Sequence, residues 1–287
     1  MTAPVPATRQ LFAREVRRPE RDLDLARAAL LVAREEYPQI SVEQYHARLD
    51  VLAEEVKDRL GDETGPPLVL QELLDTLFRR HRFRGNAEAY YDPRNSYLND
   101  VLDREVGIPL TLGIVVLEVG WRLGLPLEGV DFPHHFLVRY RGEALDVLVD
   151  AFDGGKTLYP DQAQALLDRV YGGMVRMKDA FLRTADRRDM LARLLRNLKG
   201  VHMNVGDDRR ALAAVERLLL VRPDSPTEHR AGGILLARLG RREEASEQLE
   251  AYLDAAPGAP DAARIRGVVK RLKAGEDVDL RWTEGSA

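Results

Sequence analysis

The sequence predicts an α+β domain with an N-terminal helical layer, followed by an all-α repeat segment. Two observations lead to this prediction. Residues 107–155 change from the pattern of a buried helix to that of paired strands. In the last third of the chain, residues recur at an interval of 34 positions. We therefore expect two domains, which span residues 1–188 and 189–287.

The composition is that of an ordinary globular protein. The 287 residues are 45% hydrophobic and carry a net charge of −4. So weak a negative charge gives no support for binding to nucleic acid or to a membrane surface. The sequence has no apolar run of 18 residues, and a membrane-spanning helix needs about 20. The expectation is a soluble, cytoplasmic protein.

Cysteine is absent from the sequence. Its absence excludes disulfides, thiolate metal sites and thiol nucleophiles. Residues 152–157 contain Gly-Gly-Lys-Thr, which invites comparison with a phosphate-binding loop. Such a loop needs a further glycine at the position that Asp150 occupies. We expect neither a cofactor nor a metal ion.

Residues 1–10 are expected to be disordered. From there to residue 81 the patterns are helical, and they predict helices over 11–16, 23–37, 42–60 and 66–81. Ser41 is the predicted N-cap of the third helix, with Gln44 at the third position after it. No residues here converge on a site. We interpret this part as a packing layer for the domain that follows.

Residues 83–100 alternate aromatic residues with turn formers. A short helix is predicted to begin near Asn95 or Ser96, because both are N-cap types. Asn95, Ser96 and Asn99 could instead line a cleft, but residues of these types before a helix are more often caps.

The next predicted element is a buried helix that begins at Pro109. Proline suits the first helical position, and Gly124 suits the left-handed position after a helix end. The residues between them are apolar on every side, which indicates burial all round. Gly113 and Gly120 lie on nearly one face, where another element can approach closely.

A hairpin of two strands is predicted after this helix. With Gly142-Glu143 as a type II′ loop, Arg139 lies opposite Asp146 and His135 lies opposite Asp150. Opposite charges then pair with each other, as do apolar residues. If the loop is Arg141-Gly142 instead, His135 and Asp150 become diagonal neighbours on the same face.

The repeat is the strongest pattern after residue 189. Its 34-residue interval is that of tetratricopeptide repeats, which are paired helices. We expect repeats at 193–226 and 227–260 and a capping helix at 261–273. The concave side of such arrays usually binds a peptide or another part of the same chain. The matched pairs are Gly206 with Gly240, Ala211 with Ala245, Leu219 with Leu253, Pro223 with Pro257, and Pro226 with Pro260.

Three short motifs add a resemblance to a known family. They are NSYL at 95–98, GIPLTL at 107–112 and FPHHFL at 132–137. Together with the repeats, they resemble the bacterial SirB-related transglutaminase-like family. The resemblance implies a papain-like α+β core, in which active relatives open the central helix with a Cys and complete a triad with a His and an Asp. The Cys position falls on Pro109, and the other two match His135 and Asp150.

This correspondence implies a loss of catalysis. Proline offers no nucleophile and no N–H for an oxyanion hole, so His135 and Asp150 would form a remnant dyad. We expect a non-catalytic interaction or regulatory protein that binds an unidentified protein or peptide through the repeats or the cleft. The alternative is a hydrolase or acyl-transfer enzyme that uses Ser96 or Thr111 as the nucleophile together with this dyad.

The remaining candidates are binding residues. A metal site at the adjacent histidines is disfavoured, because neighbouring residues of a strand point to opposite faces. The residues expected to contribute to binding are Asn95, Ser96, Asn99, Thr111 and His134.

Overall fold

A computed structural model describes residues 7–143, 145–278 and 280. The chain divides into two compact units, Met1–Leu194 and Leu195–Ala287. Helix α8 (Arg187–Asn204) contains both this division and the position between residues 188 and 189. The domain boundary inferred from the sequence stays a prediction.

The first unit opens with a layer of helices: α1 (Ala7–Val16), α2 (Leu25–Glu36), α3 (Val42–Leu60) and α4 (Pro66–Leu74). The expected disorder of residues 1–10 is wrong for residues 7–10, which begin α1, and residues 1–6 lie outside the described residues. Ser41 is the N-cap of α3, and its side chain accepts a hydrogen bond from the Gln44 amide. The helix predicted over 66–81 does not run uninterrupted, because a π-helical segment, Asp75–Arg80, follows α4.

A short parallel pair and two further helices come next: β1 (Arg84–Gly85), α5 (Leu98–Arg104), β2 (Val106–Gly107) and α6 (Pro109–Arg122). Residues 109–120 of α6 are all buried, as predicted. The ring of Phe136 and the side chain of Leu127 occupy the space that a Cβ at Gly113 and Gly120 would need. No helix among the described residues is both long and apolar enough to cross a membrane.

The strands of the main sheet are β3 (Leu127–Val130), β4 (Leu137–Arg141), β5 (Asp146–Asp150), β6 (Lys156–Leu158) and β7 (Thr184–Ala185). The sheet is antiparallel and has the strand order β6-β5-β4-β3-β7 among the described residues. Helix α6 packs on one face against β3 and β4. Helix α7 (Gln164–Tyr171) shares an apolar cluster with Leu148 on the other face.

The predicted hairpin register is wrong by two residues. Asp146 lies opposite Arg141 rather than opposite Arg139, and Val149 lies opposite Val138. A shift of two residues leaves each side chain on the same face of the sheet, so the hydrophobic pattern cannot distinguish the two registers. The predicted ion pair survives as a diagonal contact, in which Arg139 Nε donates to Asp146 Oδ1 over 2.7 Å.

The second unit is helical: after the end of α8 come α9 (Asp208–Val221), α10 (Pro226–Arg238), α11 (Arg242–Ala255) and α12 (Ala262–Lys273). Gly206 and Gly240 have nearly the same positive φ, 73° and 75°, at equivalent turns of the repeat. Ala211 and Ala245, which also differ by one period, are both fully buried. These equivalences confirm the repeat that the 34-residue interval predicted.

Candidate functional site

The candidate site is built around the end of β5. Asp150 is its last residue and is 3% exposed. Its Oδ1 accepts hydrogen bonds from the backbone amides of Phe152 and Asp153, both over 3.1 Å. The same oxygen lies 2.8 Å from His135 Nε2. A buried carboxylate is therefore held by three donors, which is the condition under which burial of such a group is tolerated.

His135 lies just before β4, in a turn closed by a hydrogen bond from its amide to the oxygen of Phe132. Because an ionised carboxylate can only accept, Nε2 of the ring is the donor to Asp150. In a neutral imidazole, this arrangement leaves the lone pair on Nδ1. The side chain is 18% exposed, so a ligand or a proton can reach it only over a small area.

Pro109 is the first residue of α6, as its dihedral preference predicts. The residue is also buried. Phe136, which follows His135, packs against Gly113, one turn further along α6. The start of the central helix and the turn that carries His135 therefore belong to adjoining parts of the core. Pro109 contributes no side-chain hydrogen-bonding group to this region.

Thr111 does not present a free hydroxyl. Its Oγ1 donates to the backbone oxygen of Asn95 over 2.7 Å and accepts from the backbone amide of Ile108 over 3.2 Å. The residue is fully buried. The bond to Ile108 is the local backbone contact expected of a threonine in a first turn, whereas the bond to Asn95 was not predicted.

The expectation that Asn95 or Ser96 caps α5 is wrong. The N-cap is Tyr97, which makes no capping bond through its side chain. Asn95 is fully buried, and its Nδ2 donates to the backbone oxygens of Ala89 and Tyr90 over 2.8 and 3.2 Å. Its Oδ1 accepts from Asn86 Nδ2. The side chain that the sequence pattern assigned to a helix cap therefore forms hydrogen bonds with backbone oxygens of the preceding loop instead.

Ser96 and Asn99 are also buried, at 2% and 4% exposure. The amide of Ser96 donates to the oxygen of Pro93. Asn99 Oδ1 has no hydrogen-bond partner among the described residues. Ser96 from the NSYL motif and Asn99, which follows the motif, are thus enclosed in the core. The expected role of these residues in lining a cleft stays a prediction.

His134 lies in the same turn as His135 and is exposed. It has a positive φ of 54°, and its ring meets that of Tyr171 edge to face at 5.5 Å. Because β4 begins only at Leu137, the two histidines are not strand neighbours. The argument from strand alternation against a metal site at these histidines therefore does not apply.

Aromatic side chains extend from His135 to the surface, and the prediction of site residues missed them. The Phe152 ring meets His135 at 6.2 Å and Tyr90 at 6.1 Å, and Tyr90 meets Tyr91 at 5.3 Å. Tyr91 is 70% exposed. We call Tyr90, Tyr91 and Phe152 the aromatic platform. The signal available in the sequence was the alternation of tyrosines with turn formers over 83–100.

Packing and hydrogen bonds with neighbouring residues fix the position of the aromatic platform. Phe152 fits against Gly85 of β1, where a Cβ would lie 2.5 Å from the ring. Asn95 Nδ2 donates a hydrogen bond to the backbone oxygen of Tyr90, and Thr111 Oγ1 donates one to the backbone oxygen of Asn95. Burial raises the pKa of the Tyr90 hydroxyl, an effect that the charge of Arg193 opposes. Tyr90 therefore stays neutral at physiological pH.

Comparison with known proteins identifies the family. The model of the transglutaminase-like superfamily matches residues 43–196, and that of the tetratricopeptide repeat matches residues 198–270. The chain belongs to the transglutaminase-like superfamily. The fold and the family suggested by the sequence motifs are thereby confirmed. No solved structure matches the chain.

The relatives of this transglutaminase-like chain include bacterial proteins of similar length. It is 35% identical over 248 residues to a UPF0162 protein of Xylella fastidiosa, covering 85% of this chain and 88% of the relative. It is 28% identical over 260 residues to a UPF0162 protein of Vibrio cholerae, covering 90% and 96%. A shorter match to F-box only protein 21 of Mus musculus is 37% identical over 107 residues, covering 34% of this chain and 17% of that protein.

Proposed function

We propose that this transglutaminase-like chain is a non-catalytic protein that binds a protein or peptide partner. The observation that carries the proposal is Pro109 at the first position of α6, where the family resemblance expects the nucleophile. The sequence has no cysteine that could act from elsewhere. A His–Asp pair raises the reactivity of a nucleophile that it contacts, and proline supplies none.

The hydroxyl groups near this helix offer little support for catalysis. Thr111 is fully buried, and both functions of its hydroxyl are used within the protein. Ser96 is 2% exposed. A nucleophile must reach both its general base and the substrate, and burial of both residues opposes this. The specific observation in favour of a hydrolase is the 2.8 Å contact between His135 and Asp150.

Binding is supported by two surfaces, each within its own unit. In the first unit, the aromatic platform offers two exposed tyrosines beside His135, and tyrosine is enriched at binding interfaces. The second surface is that of the repeats, which we assign to a domain of residues 189–287. Arrays of this kind usually bind peptides. We place the protein in the cytoplasm.

Two measurements test the proposal. The first is intact mass after incubation of the purified chain with a fluorophosphonate, which labels activated hydroxyl groups. We expect no adduct. A stoichiometric adduct at Ser96 or Thr111 that disappears in His135→Ala would establish the hydrolase instead.

The second measurement is photo-crosslinking in cells with p-benzoylphenylalanine in place of Tyr91, Val205 or Val51, one position at a time. Tyr91 probes the platform, Val205 probes the repeat unit, and Val51 on α3 is a control of similar exposure. We expect a discrete crosslinked product from Tyr91 or Val205 and none from Val51. Equal products from all three positions, or none from any, would contradict a specific partner.

A further inference from the structure

Helices α11 and α12 carry opposite charges on their exposed sides. Along α11, Glu243, Glu247, Glu250 and Asp254 recur at intervals of four, three and four residues. Side chains spaced in this way lie on one side of a helix. Three of them are exposed, and Glu250 is half-buried. We call these four carboxylates the acidic stripe.

Helix α12 contains no acidic residue. Its outer side carries Arg266, Lys270, Arg271 and Lys273, all of which are exposed. The other side of the helix packs into the apolar cluster of the repeat unit. Every charged side chain that α12 presents to solvent is therefore positive. We call these four cations the basic face.

The acidic stripe and the basic face border each other. Lys273 Nζ lies 2.5 Å from Glu250 Oε1, and Arg266 donates a hydrogen bond to the backbone oxygen of Pro257, just beyond α11. A step forward along α12 is therefore a step backward along α11, so the two helices form an antiparallel hairpin. The two charged surfaces lie side by side along this hairpin.

Most of these charges have no partner inside the protein. The three exposed carboxylates of the acidic stripe make no ion pair with the residues that the structure describes. The same is true of Lys270 and Arg271 within the described part of the chain. These side chains are therefore available to charges on another molecule.

The neighbouring charges do not cancel this pattern. At the start of α11, Arg241 pairs with Glu244 over 2.5 Å, and Arg242 pairs with Asp277 over 2.7 Å. Glu276 is exposed beyond the end of α12 and offsets part of the positive charge there. With these residues included, the outer side of α11 remains negative and that of α12 remains positive.

Each helix carries its charge at an energetic cost. Like charges three or four residues apart on a helix repel each other, as in Glu243 with Glu247 and Arg266 with Lys270. A terminal helix of a repeat array needs a polar outer side, but a mixture of charges would supply it without this repulsion. A partner surface with the opposite pattern would relieve the repulsion on both helices.

We infer that a second copy of the chain docks on this hairpin, with the acidic stripe of each copy on the basic face of the other. A two-fold axis parallel to the helices lays α11 of one copy over α12 of its partner and makes the same contact twice. A two-fold axis across the helices would lay α11 over α11 and oppose like charges. Charge complementarity thus selects both the occupant and its orientation. This contact between copies goes beyond the proposed binding of another protein.

The dimer is expected to be weak and sensitive to salt. Helix α11 has 14 residues and is about 21 Å long, and two helices side by side are about 20 Å wide. The hairpin therefore offers a flat area of about 400 Å² per copy, which is at the low end for a specific interface. Because the contacts are between exposed charges, dissolved salt should screen them.

Sedimentation velocity of the intact chain over a concentration series tests the inference. We expect a monomer–dimer equilibrium with no larger species. Its dissociation constant should rise by about tenfold or more between about 0.05 M and about 0.5 M salt, because the Debye length shortens. A chain that stays monomeric at high protein concentration in low salt would overturn the inference. Species that grow beyond the dimer would contradict the two-fold arrangement.

Charge reversal tests the surface itself. The first variant combines Glu243→Lys, Glu247→Lys and Asp254→Lys, so that both helices are positive. The second combines Arg266→Glu, Lys270→Glu and Arg271→Glu, so that both are negative. Each variant alone should dimerise about tenfold or more weakly than the wild type, because like charges then meet.

An equimolar mixture of the two variants should dimerise again. Each α11 in a mixed dimer meets an α12 of opposite charge, whereas neither variant can achieve this with itself. Circular dichroism should confirm that both variants are folded. Glu247→Gln and Lys270→Gln, which each remove one charge, should weaken the dimer by smaller factors and are available if a triple variant does not fold. Absence of recovery in a mixture of folded variants would overturn the inference.

A control and the remaining outcomes separate this inference from the proposed function. Asp62→Lys with Glu63→Lys reverses exposed charges in the first unit and should dimerise as the wild type does. A dimer that is insensitive to both triple variants would use another surface, which contradicts the inference. A monomeric chain that still gives a crosslinked product from Tyr91 or Val205 would overturn the dimer and support the proposed function.

Discussion

The hydroxyl of Thr111 donates a hydrogen bond of 2.7 Å to the backbone oxygen of Asn95, 16 residues earlier in the chain. This bond joins the first turn of α6 to the loop that carries Tyr90. Asn95 continues the connection through its own amide group. The motifs that suggested a remnant active site therefore also hold the aromatic platform in place.

The first prediction is that Thr111→Val destabilises the protein and loosens the platform. The change leaves the backbone groups of Asn95 and Ile108 without their partner, which should lower the free energy of unfolding by about 1–3 kcal/mol. Denaturant unfolding measures this cost, and hydrogen exchange should show faster exchange at residues 86–95. Thr157→Val, at an exposed position, should cost less than about 0.5 kcal/mol. Equal effects of the two changes would contradict the role assigned to Thr111.

The second prediction concerns the His135–Asp150 pair. Asp150→Ala removes the acceptor for the imidazole and for the amides of Phe152 and Asp153. We expect a loss of about 1–3 kcal/mol in the free energy of unfolding, because these donors lose a buried partner. Asp150→Asn, which retains an oxygen acceptor, should cost less.

A matched control is Asp153→Ala, since Asp153 is exposed and lies three residues further along the same turn. Its stability should stay within about 0.5 kcal/mol of the wild type. If Asp150→Ala unfolds at the same denaturant concentration as the wild type, the pair has no structural role.

The third prediction compares two helical glycines. A Cβ at Gly113 would lie 2.6 Å from the Phe136 ring, so Gly113→Ala should cost about 1–3 kcal/mol through overpacking. Gly267 on α12 has no described atom within 4 Å of such a Cβ. Gly267→Ala should therefore stabilise its helix by about 0.5–1 kcal/mol. Thermal melts should show a lower melting temperature for Gly113→Ala and a higher one for Gly267→Ala. An unchanged melting temperature in Gly113→Ala would contradict the close packing of α6.

Local patterns in the sequence predicted much of the fold. Pro109 and Gly124 marked the limits of the central helix, because proline fits a helical start and Gly124 has a φ of 73°. Gly206 and Gly240 marked the repeat through the same backbone requirement. These signals depend on a few neighbouring residues, so they can be read without knowledge of the tertiary structure.

Features that depend on tertiary contacts could not be predicted in this way. Asn95 had the chemistry of a helix cap, but backbone oxygens of the preceding loop bind its amide. The hairpin register was wrong because both alignments placed the same side chains on the same face. The partnership of Tyr90 with Phe152 joins segments that are distant in sequence.

The last prediction concerns Pro109 and the chemistry that the family resemblance assigns to its position. Pro109→Cys introduces a thiol in the first turn of α6. The substitution should be tolerated, because a first-turn N–H needs no helical partner and cysteine can adopt the helical dihedrals. The helix dipole and a nearby imidazole both favour the thiolate. We expect His135 to lie within reach of this thiol, because the ring of the neighbouring Phe136 packs against Gly113, one turn along the helix from Pro109.

The most direct test of the account is the rate at which iodoacetamide alkylates Pro109→Cys near neutral pH. We predict alkylation faster than that of the free thiol in the unfolded chain, and a loss of much of this acceleration in Pro109→Cys with His135→Ala. Circular dichroism of both variants should confirm that they are folded. A folded Pro109→Cys that is inert, or equally reactive without His135, would contradict the claim that Pro109 occupies the nucleophile position of a transglutaminase-like site.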